Sequence, residues 1–170
     1  MKILKRIIDA FIKVEESRPL NEDDLTNFVA RHEGLRLICY ADPAGVPTIG
    51  YGHTRTVSLS DVGRKIITRD EALRLLREDL AAAKHAAAAI TGLGSGDVFI
   101  GVTSFIFNLG PGALHGKSTE IGRHLLDGNY EKAAEGMKRY VYAGGRRLRG
   151  LVRRREEEAS LVWKSPEKTL

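Results

Sequence analysis

The segment with the largest consequence for the fold is VFIGVTSFIFNLG, at residues 98–110. Apolar residues cover nearly every side of a helix drawn through it, so other elements must pack around it on all sides. It is too short to cross a bilayer, which takes about 20 apolar residues. The segment therefore predicts a buried central helix inside a globular, mainly helical chain.

Most of the remaining pattern is also helical. Capping residues and apolar spacing predict helices after Asn21, after Thr68, near Ser118, near Asn129 and over residues 151–163. The helix after Thr68 contains EALRLLREDLAAAKHAAAAI and is predicted to be long and continuous. The stretch YAGGRRLRG, which precedes the last helix, is predicted to be a loop because of its glycines.

The period changes to that of a strand over residues 35–56. Alternation around Leu37 predicts one strand, DPAG predicts a turn, and VPTIGYGHT predicts a second strand. Gly50 and Gly52 in that strand would admit a substrate close to the backbone or mark bulges. The expected fold class is α+β, mainly α. A small β-hairpin lobe, a long linking helix and a larger helical lobe around the central helix would leave a cleft between the lobes.

Residues 1–20, MKILKRIIDAFIKVEESRPL, are set apart from the rest. Apolar residues recur there at helical spacing, and charged residues interrupt them too often for a signal peptide or a membrane span. We expect an amphipathic helical extension, packed on the domain or in weak contact with a membrane surface. Residues 21–170 are then predicted to form one two-lobed domain.

The net charge of +5 and a pI near 9.4 favour polyanionic partners. Nucleic acid is not expected, although the run GGRRLRGLVRRREEE is rich in arginine. Its three glutamates supply partners three and four positions from the arginines on the same helix, and no aromatic residues are interleaved for base stacking. The run is interpreted as a self-paired helix whose basic edge helps to hold an anionic polymer.

Cysteine and histidine usage excludes two further kinds of site. Cys39 is the only cysteine, which rules out an internal disulfide and suits a reducing compartment. The five histidines are scattered, and none has zinc-ligand spacing with a cysteine partner. HEGLR also lacks the second histidine of a zinc protease motif. We therefore expect no metal and no cofactor.

Two acids, Glu33 and Asp42, stand out by their setting. Their spacing of nine positions is common, and by spacing alone both would be solvated surface carboxylates. However, Glu33 is predicted on the last turn of a helix and Asp42 in the turn between two strands, where both could face one gap. Glycoside hydrolysis needs such a pair, one protonated and one ionised. Thr48 could share a water with Asp42 or could be a simple strand former.

These residues resemble the phage-type lysozymes of glycoside hydrolase family twenty-four. The family pattern is Glu-Gly-Leu-Arg-Leu followed by Tyr-x-Asp-x-x-Gly-x-x-Thr-Ile-Gly-x-Gly-His, and residues 33–53 match it without a gap, as EGLRL and then YADPAGVPTIGYGH. Three later segments, SFIFNLGPGAL, LLDGNYEKAA and YAGGRRLRGLVRRREEEASLVW, also resemble the family. The resemblance covers about residues 24–164.

The resemblance implies a lysozyme-like fold and a muramidase that cleaves the β-1,4 bond between N-acetylmuramic acid and N-acetylglucosamine. It implies Glu33 as general acid, with Asp42 and Thr48 holding the attacking water in an inverting reaction. The arginine that pairs with the catalytic glutamate in some members falls on Leu151 here. Arg146, Arg149 and Arg154 are the alternatives. Residues expected at the saccharide groove are His53, Thr54, Phe107, Asn108 and Ser118; His53 could instead be structural, and Phe107 could belong to the core.

The function expected from the resemblance is that of an endolysin, a bacteriolytic glycoside hydrolase. Two alternatives remain open: a lytic transglycosylase, against which Asp42 and Thr48 argue, and a non-enzymatic basic protein that disrupts walls or membranes. We expect peptidoglycan and the anionic wall surface as partners, and a monomer. Because residues 1–20 do not look like a long apolar signal-anchor, the protein is expected to be made in the host bacterial cytoplasm and to reach the wall through a holin.

Overall fold

The computed structural model describes residues 22–114 and 118–163 of the 170-residue chain. The predicted N-terminal helix lies outside the described residues, and the division at residue 21 stays a prediction. The described part is α+β and mainly helical, as predicted. In chain order its elements are α1 (Glu22–His32), β1 (Arg36–Ala41), β2 (Pro47–Gly50), α2 (Arg69–Asp79), α3 (Ala81–Thr91), α4 (Gly96–Leu109), α5 (Glu120–Leu126), α6 (Tyr130–Met137), β3 (Tyr142–Ala143), β4 (Arg146–Arg147) and α7 (Arg149–Trp163), with 3₁₀ turns at Leu59–Asp61 and Pro111–Leu114.

Helix α4 is the central element of the core, as its all-round apolar sequence predicts. Every residue from 98 to 106 is buried, and α7, α3 and α1 pack around the helix. Gly101 allows α7 to approach closely, because a Cβ there would lie 2.7 Å from the carbonyl oxygen of Glu158. Within the described residues, none of the helices has the length and apolar character needed to cross a membrane.

The predicted β-hairpin is confirmed. Strands β1 and β2 pair antiparallel with Tyr40 opposite Thr48, and β2 ends at Gly50. The chain then turns back on itself, since Ile49 and His53 exchange two backbone hydrogen bonds of 2.9 Å. Gly50 has a φ of +66°, and a Cβ there would lie 3.3 Å from the Cβ of Ala72. Glycine at position 50 therefore allows both this turn and the close packing of β2 on α2.

The prediction of one long helix after Thr68 is wrong: α2 and α3 are separate helices that meet at Leu80. Leu80 keeps helical angles (φ −71°, ψ −15°) and is 1% exposed, so the helix is interrupted at a buried residue that is neither glycine nor proline. The two halves pack against different neighbours, α2 against β2 and α1, and α3 against α4 and α5. Because local sequence cannot encode these separate partners, helical propensity alone predicted continuity.

The prediction of a loop at YAGGRRLRG is also wrong, because β3 and β4 form a short hairpin there. Tyr142 pairs with Arg147, and Ala143 pairs with Arg146. The two residues that connect them, Gly144 and Gly145, both have positive φ, of 55° and 73°. A two-residue connection with positive φ at both positions matches the right-handed twist of a tight hairpin. The hairpin leads directly into α7, which begins at Arg149.

Candidate active site

Glu33 lies immediately after α1, where the sequence predicted a helix end. Its backbone N–H still donates to the carbonyl of Val29 at 3.1 Å, so the last helical hydrogen bond fixes its position. Its side chain is 25% exposed. Nη1 of Arg154, which is 3% exposed, donates to Glu33 Oε1 at 2.6 Å. A rigid helix end and a buried arginine from α7 thus hold the carboxyl group while leaving part of it accessible.

Asp42 lies in the β1–β2 turn, and its own side chain organises that turn. Its Oδ1 accepts the backbone N–H groups of Ala44 and Val46, each at 2.8 Å. Its backbone N–H donates to the Val46 carbonyl at 2.9 Å, and its carbonyl accepts from Gly45 at 2.8 Å. No hydrogen bond within the described residues involves Oδ2 of Asp42. One carboxylate oxygen is therefore committed to the loop and the other is available.

Thr48 is linked to Asp42 through Val46. Its side chain is buried, with 4% exposure, and Oγ1 donates to the Val46 carbonyl at 2.9 Å. That carbonyl also accepts the backbone N–H of Asp42. The hydroxyl oxygen of Thr48 retains its capacity to accept a hydrogen bond. The hairpin therefore brings Asp42 and Thr48 together on one hydrogen-bonded unit, as the strand-turn-strand pattern suggested.

The arginine partner of Glu33 is Arg154, which was one of three alternatives, and not the position of Leu151. Arg154 Nε donates to Glu158 Oε1 at 2.9 Å, and Ser104 Oγ donates to the same oxygen at 2.6 Å. Arg154 Nη2 also lies 3.3 Å from both the carbonyl oxygen and the hydroxyl of Ser104. Both Glu158 and Ser104 have 0% exposure. The guanidinium is thereby fixed from α4 and from its own helix.

A second arginine, Arg155, is buried beside it with 0% exposure. Its Nε lies 2.9 Å from Glu158 Oε2, its Nη2 donates to Asn108 Oδ1 at 3.0 Å, and its guanidinium stacks 4.8 Å from the centre of the Phe105 ring. Burial lowers the pKa of Arg155 and raises the pKa of Glu158, and each shift is opposed by the charge of the other group. The ion pair favours the charged form of each side chain and so opposes the effect of burial.

His53 occupies a structural position. Its exposure is 2%, and its Nδ1 lies 2.8 Å from Asp79 Oδ2. Its Nε2 accepts the backbone N–H of Thr56 at 3.2 Å and lies 2.8 Å from the Thr56 hydroxyl. Asp79 also accepts two hydrogen bonds from Arg55. Since both ring nitrogens are engaged within the protein, His53 ties the end of β2 to the end of α2 and has no free nitrogen for a sugar.

The other expected groove residues differ in accessibility. Thr54 and Ser118 are exposed, whereas Phe107 and Asn108 are half-buried. Phe107 packs against the hydrophobic core, in agreement with the alternative that it is a core residue. Asn108 Oδ1 accepts a hydrogen bond from Arg155. Among residues 22–114 and 118–163, no group of three or more histidine, cysteine or acidic side chains is arranged to hold a metal ion.

The buried part of α7 was not anticipated, because its arginines were assigned to a basic surface edge. The pairing predicted along the helix is present. Arg154 and Arg155 pair with Glu158 and face inward, whereas the pair of Arg153 and Glu157 is exposed. A signal for this existed in the spacing. Leu151, Arg155, Glu158 and Val162 follow one another at steps of four, three and four residues. This spacing puts all four on one face of a helix, and the apolar residues at its two ends indicate that the face is turned inward.

Comparison with known proteins gives the family that this chain resembles. The family model for phage lysozyme matches residues 30–158. An endolysin of Bacillus phage B103 is 36% identical over 145 residues, covering 79% of this chain and 51% of the relative, so this chain spans about half of that endolysin. An endolysin of Salmonella phage P22 is 35% identical over 131 residues, covering 76% of this chain and 88% of the relative.

Among solved structures, a mutant of P22 lysozyme superposes with a TM-score of 0.72 at 29% identity, covering 86% of this chain and 99% of that chain. The resemblance carried by the motif at residues 33–53 and the predicted lysozyme-like fold are both confirmed. The chain belongs to the phage lysozyme family.

Proposed function

We propose that this protein is a muramidase that hydrolyses the β-1,4 bond between N-acetylmuramic acid and N-acetylglucosamine in peptidoglycan, with inversion at the anomeric carbon. Membership of the phage lysozyme family gives the reaction class, glycoside hydrolysis of the wall. The observation that carries the assignment of roles is the different setting of two carboxyl groups. Glu33 is held by a buried arginine at a helix end, and Asp42 is held by backbone N–H groups in a turn.

Glu33 is assigned the role of general acid. An acid must reach the glycosidic oxygen and protonate it as the bond breaks, which requires an accessible carboxyl group on a rigid element. The partial exposure of Glu33 and its position at the end of α1 meet both requirements. The hydrogen bond from Arg154 fixes the direction of the carboxyl group. Once the proton has left, the same guanidinium stabilises the carboxylate.

Asp42 and Thr48 are assigned the role of holding the attacking water. The loop holds Asp42 Oδ1, which leaves Oδ2 to accept a proton from water, and the Thr48 hydroxyl oxygen can accept a second hydrogen bond from the same molecule. A water placed between the carboxylate and the sugar needs a wide gap, about 6.5–9.5 Å between the two carboxyl groups in inverting enzymes. Water then attacks the anomeric carbon opposite the leaving oxygen, which inverts the configuration.

Saccharide contacts are assigned to Thr54, Phe107, Asn108 and Ser118, the positions implied by the resemblance to the family. Thr54 and Ser118 offer exposed hydroxyl groups. Asn108 has its oxygen bound to Arg155, so its amide nitrogen is the group that can donate to a sugar. Phe107 supplies an apolar edge that suits the face of a pyranose ring. His53 is left out of this set because its ring is enclosed by Asp79 and Thr56.

The site of action follows from the substrate. A wall-degrading enzyme made in the bacterial cytoplasm must be separated from peptidoglycan until lysis, and we assign its release to a holin. The protein acts as a monomer on the wall, and its net charge of +5 favours contact with anionic wall polymers.

The Glu33→Gln variant tests the acid. Glutamine keeps the shape and the contact with Arg154 but has no proton to give, so release of reducing ends from purified peptidoglycan should fall ~10²–10⁴-fold. The circular dichroism spectrum should be unchanged. Glu156→Gln, which alters an exposed carboxylate on α7, should retain the wild-type rate. Wild-type activity in Glu33→Gln, or 1,6-anhydro ends from the unaltered enzyme, would refute the hydrolytic assignment.

The Asp42→Asn variant tests the water-holding role. An asparagine side-chain oxygen can still accept the N–H groups of Ala44 and Val46, so the turn should persist and stability should change little. The charge that receives the proton from water is lost, so activity should fall ~10²-fold or more. Asp42→Ala removes the turn contacts as well and should also lower the unfolding free energy by about 1 kcal/mol or more. Full activity in Asp42→Asn would remove Asp42 from the mechanism.

A further inference from the structure

A buried charge cluster lies behind Glu33 and consists of Arg154, Arg155 and Glu158. All three side chains are 3% exposed or less. We propose that Glu158 is a positioning residue for the reaction: it orients Arg154 towards Glu33 and balances one of the two guanidinium charges that Glu33 faces. The inference rests on the proposed role of Glu33 as the acid. It extends that role to a residue that touches neither the substrate nor Glu33.

The first part of the inference is geometric. Glu158 Oε1 receives three donors: Ser104 Oγ at 2.6 Å, Arg154 Nε at 2.9 Å and Arg155 Nη2 at 3.1 Å. A guanidinium group is planar, so fixing its Nε atom fixes the directions of both terminal nitrogens. With Nε held by Glu158, Nη1 of Arg154 points to Glu33 Oε1 at 2.6 Å. Glu158 therefore sets the angle at which the acid is held.

The second part is electrostatic. When Glu33 carries its proton, Arg154, Arg155 and Glu158 together have a net charge of +1. Without the charge on Glu158 the same region would have a net charge of +2, in a buried environment where charges act strongly. A more positive environment favours the ionised form of a neighbouring carboxyl group. Loss of the Glu158 charge would therefore make Glu33 a poorer general acid at neutral pH.

Other groups around the cluster do not supply this balance. From α4, Ser104 and Asn108 are neutral. At the end of α1, His32 lies 3.2 Å from Glu157, and burial, the largest effect, lowers its pKa, so its ring is neutral at neutral pH. The surrounding charges that act on His32 are Glu157, Arg31, Arg153 and Arg154. Glu157 is 40% exposed and lies against His32 and Arg153, which leaves Glu158 as the buried counter-charge for both arginines.

The pH profile of kcat/KM separates this role from a purely structural one. Activity that depends on a protonated acid is lost as pH rises, along the alkaline limb of the profile. Glu158→Gln keeps the size of the side chain and removes its charge. We expect that limb to move to lower pH by about 1 unit, with a loss of tenfold or more at the pH optimum of the unaltered enzyme. Glu156→Gln, one exposed carboxylate on the same helix, should leave the limb in place.

Arg155→Met provides the opposite test. It removes one positive charge and keeps an apolar contact with Phe105, so the alkaline limb should move to higher pH. The double variant Glu158→Gln with Arg155→Met restores the net charge and should bring the limb back towards its original position. If Glu158→Gln alone fails to fold, the Arg155→Met variant and the double variant still test whether the charge of Glu158 affects the alkaline limb. In that case the limb of the double variant should lie at lower pH than the limb of Arg155→Met, and this difference reports the loss of the Glu158 charge.

An unchanged limb in folded Glu158→Gln, or shifts of the same sign in both single variants, would overturn the inference. Glu33→Gln is measured in parallel. If it keeps activity, the proposed role of Glu33 fails and the limb reports some other group. If Glu33→Gln is inactive and the limb does not respond to Glu158 or Arg155, only the inference about Glu158 fails.

Discussion

His32, the residue before Glu33, is a buried titratable group at the edge of the site. Its side chain is 3% exposed, its ring meets Phe28 edge-on at 5.0 Å, and its Nε2 lies 3.2 Å from a carboxylate oxygen of Glu157. Burial lowers its pKa below the ordinary value of 6.5, and the attraction of Glu157 opposes that shift only in part. The folded protein therefore holds His32 neutral at a pH at which the unfolded chain would protonate it.

This shift predicts a loss of stability on mild acidification. Between about pH 6.5 and the lower pKa of the folded state, the unfolded chain binds more protons at His32, so the unfolding free energy falls as pH falls. His32→Gln should reduce the difference in unfolding free energy between about pH 7 and about pH 5, measured by urea titration. His85→Gln, at an exposed position, should leave that difference as it is in the unaltered protein. Equal pH dependence in His32→Gln and the unaltered protein would contradict the prediction.

At the level of helices and strands, predictability follows the range of the interactions. The hairpin, the central helix and the positions of Glu33 and Asp42 follow from local signals: alternation, turn residues and helix caps. The break at Leu80 and the partner of Glu33 depend on contacts between distant segments. Three arginines could have reached Glu33, and only the packing of α7 on α4 selects Arg154. The cluster around Glu158 was missed because charged residues on a helix are usually exposed.

The close contact between α4 and α7 predicts a marked effect of a single methyl group. In Gly101→Ala the new Cβ would lie 2.7 Å from the Glu158 carbonyl oxygen and 2.8 Å from Val162 Cγ2, so α7 must move. We expect the unfolding free energy to fall by about 1–3 kcal/mol, as for overpacking elsewhere. Activity should fall as well, because α7 carries Arg154.

Gly150→Ala is the matched control for this change. Gly150 lies in the first turn of α7, and a methyl group added there would have nothing within 4 Å. Alanine at this position should therefore be neutral or stabilise the helix by about 0.5–1 kcal/mol. Urea titration of both variants gives the comparison. Equal stability of the two alanine variants would mean that α4 and α7 can separate at no cost.

For the molecule as a whole, two groups of arginines in the last part of the chain have different surroundings. Arg154 and Arg155 are enclosed with Glu158. Three others, Arg146, Arg147 and Arg149, are exposed on the β3–β4 hairpin and at the start of α7. No carboxylate of the described residues forms an ion pair with any of these three. Part of the excess positive charge of the protein therefore lies on a surface next to α7, the helix that carries Arg154.

This distribution predicts that the hairpin contributes to capture of the anionic wall. The double variant Arg146→Gln with Arg147→Gln should cleave intact wall several-fold more slowly at low ionic strength, and the difference should vanish at about 1 M salt, where charges are screened within about 3 Å. Cleavage of a short, soluble peptidoglycan fragment, which carries few charges, should be affected much less. Arg69→Gln with Lys132→Gln removes the same charge from exposed sites on α2 and α6. An equal loss in that control would assign the effect to net charge and not to the hairpin.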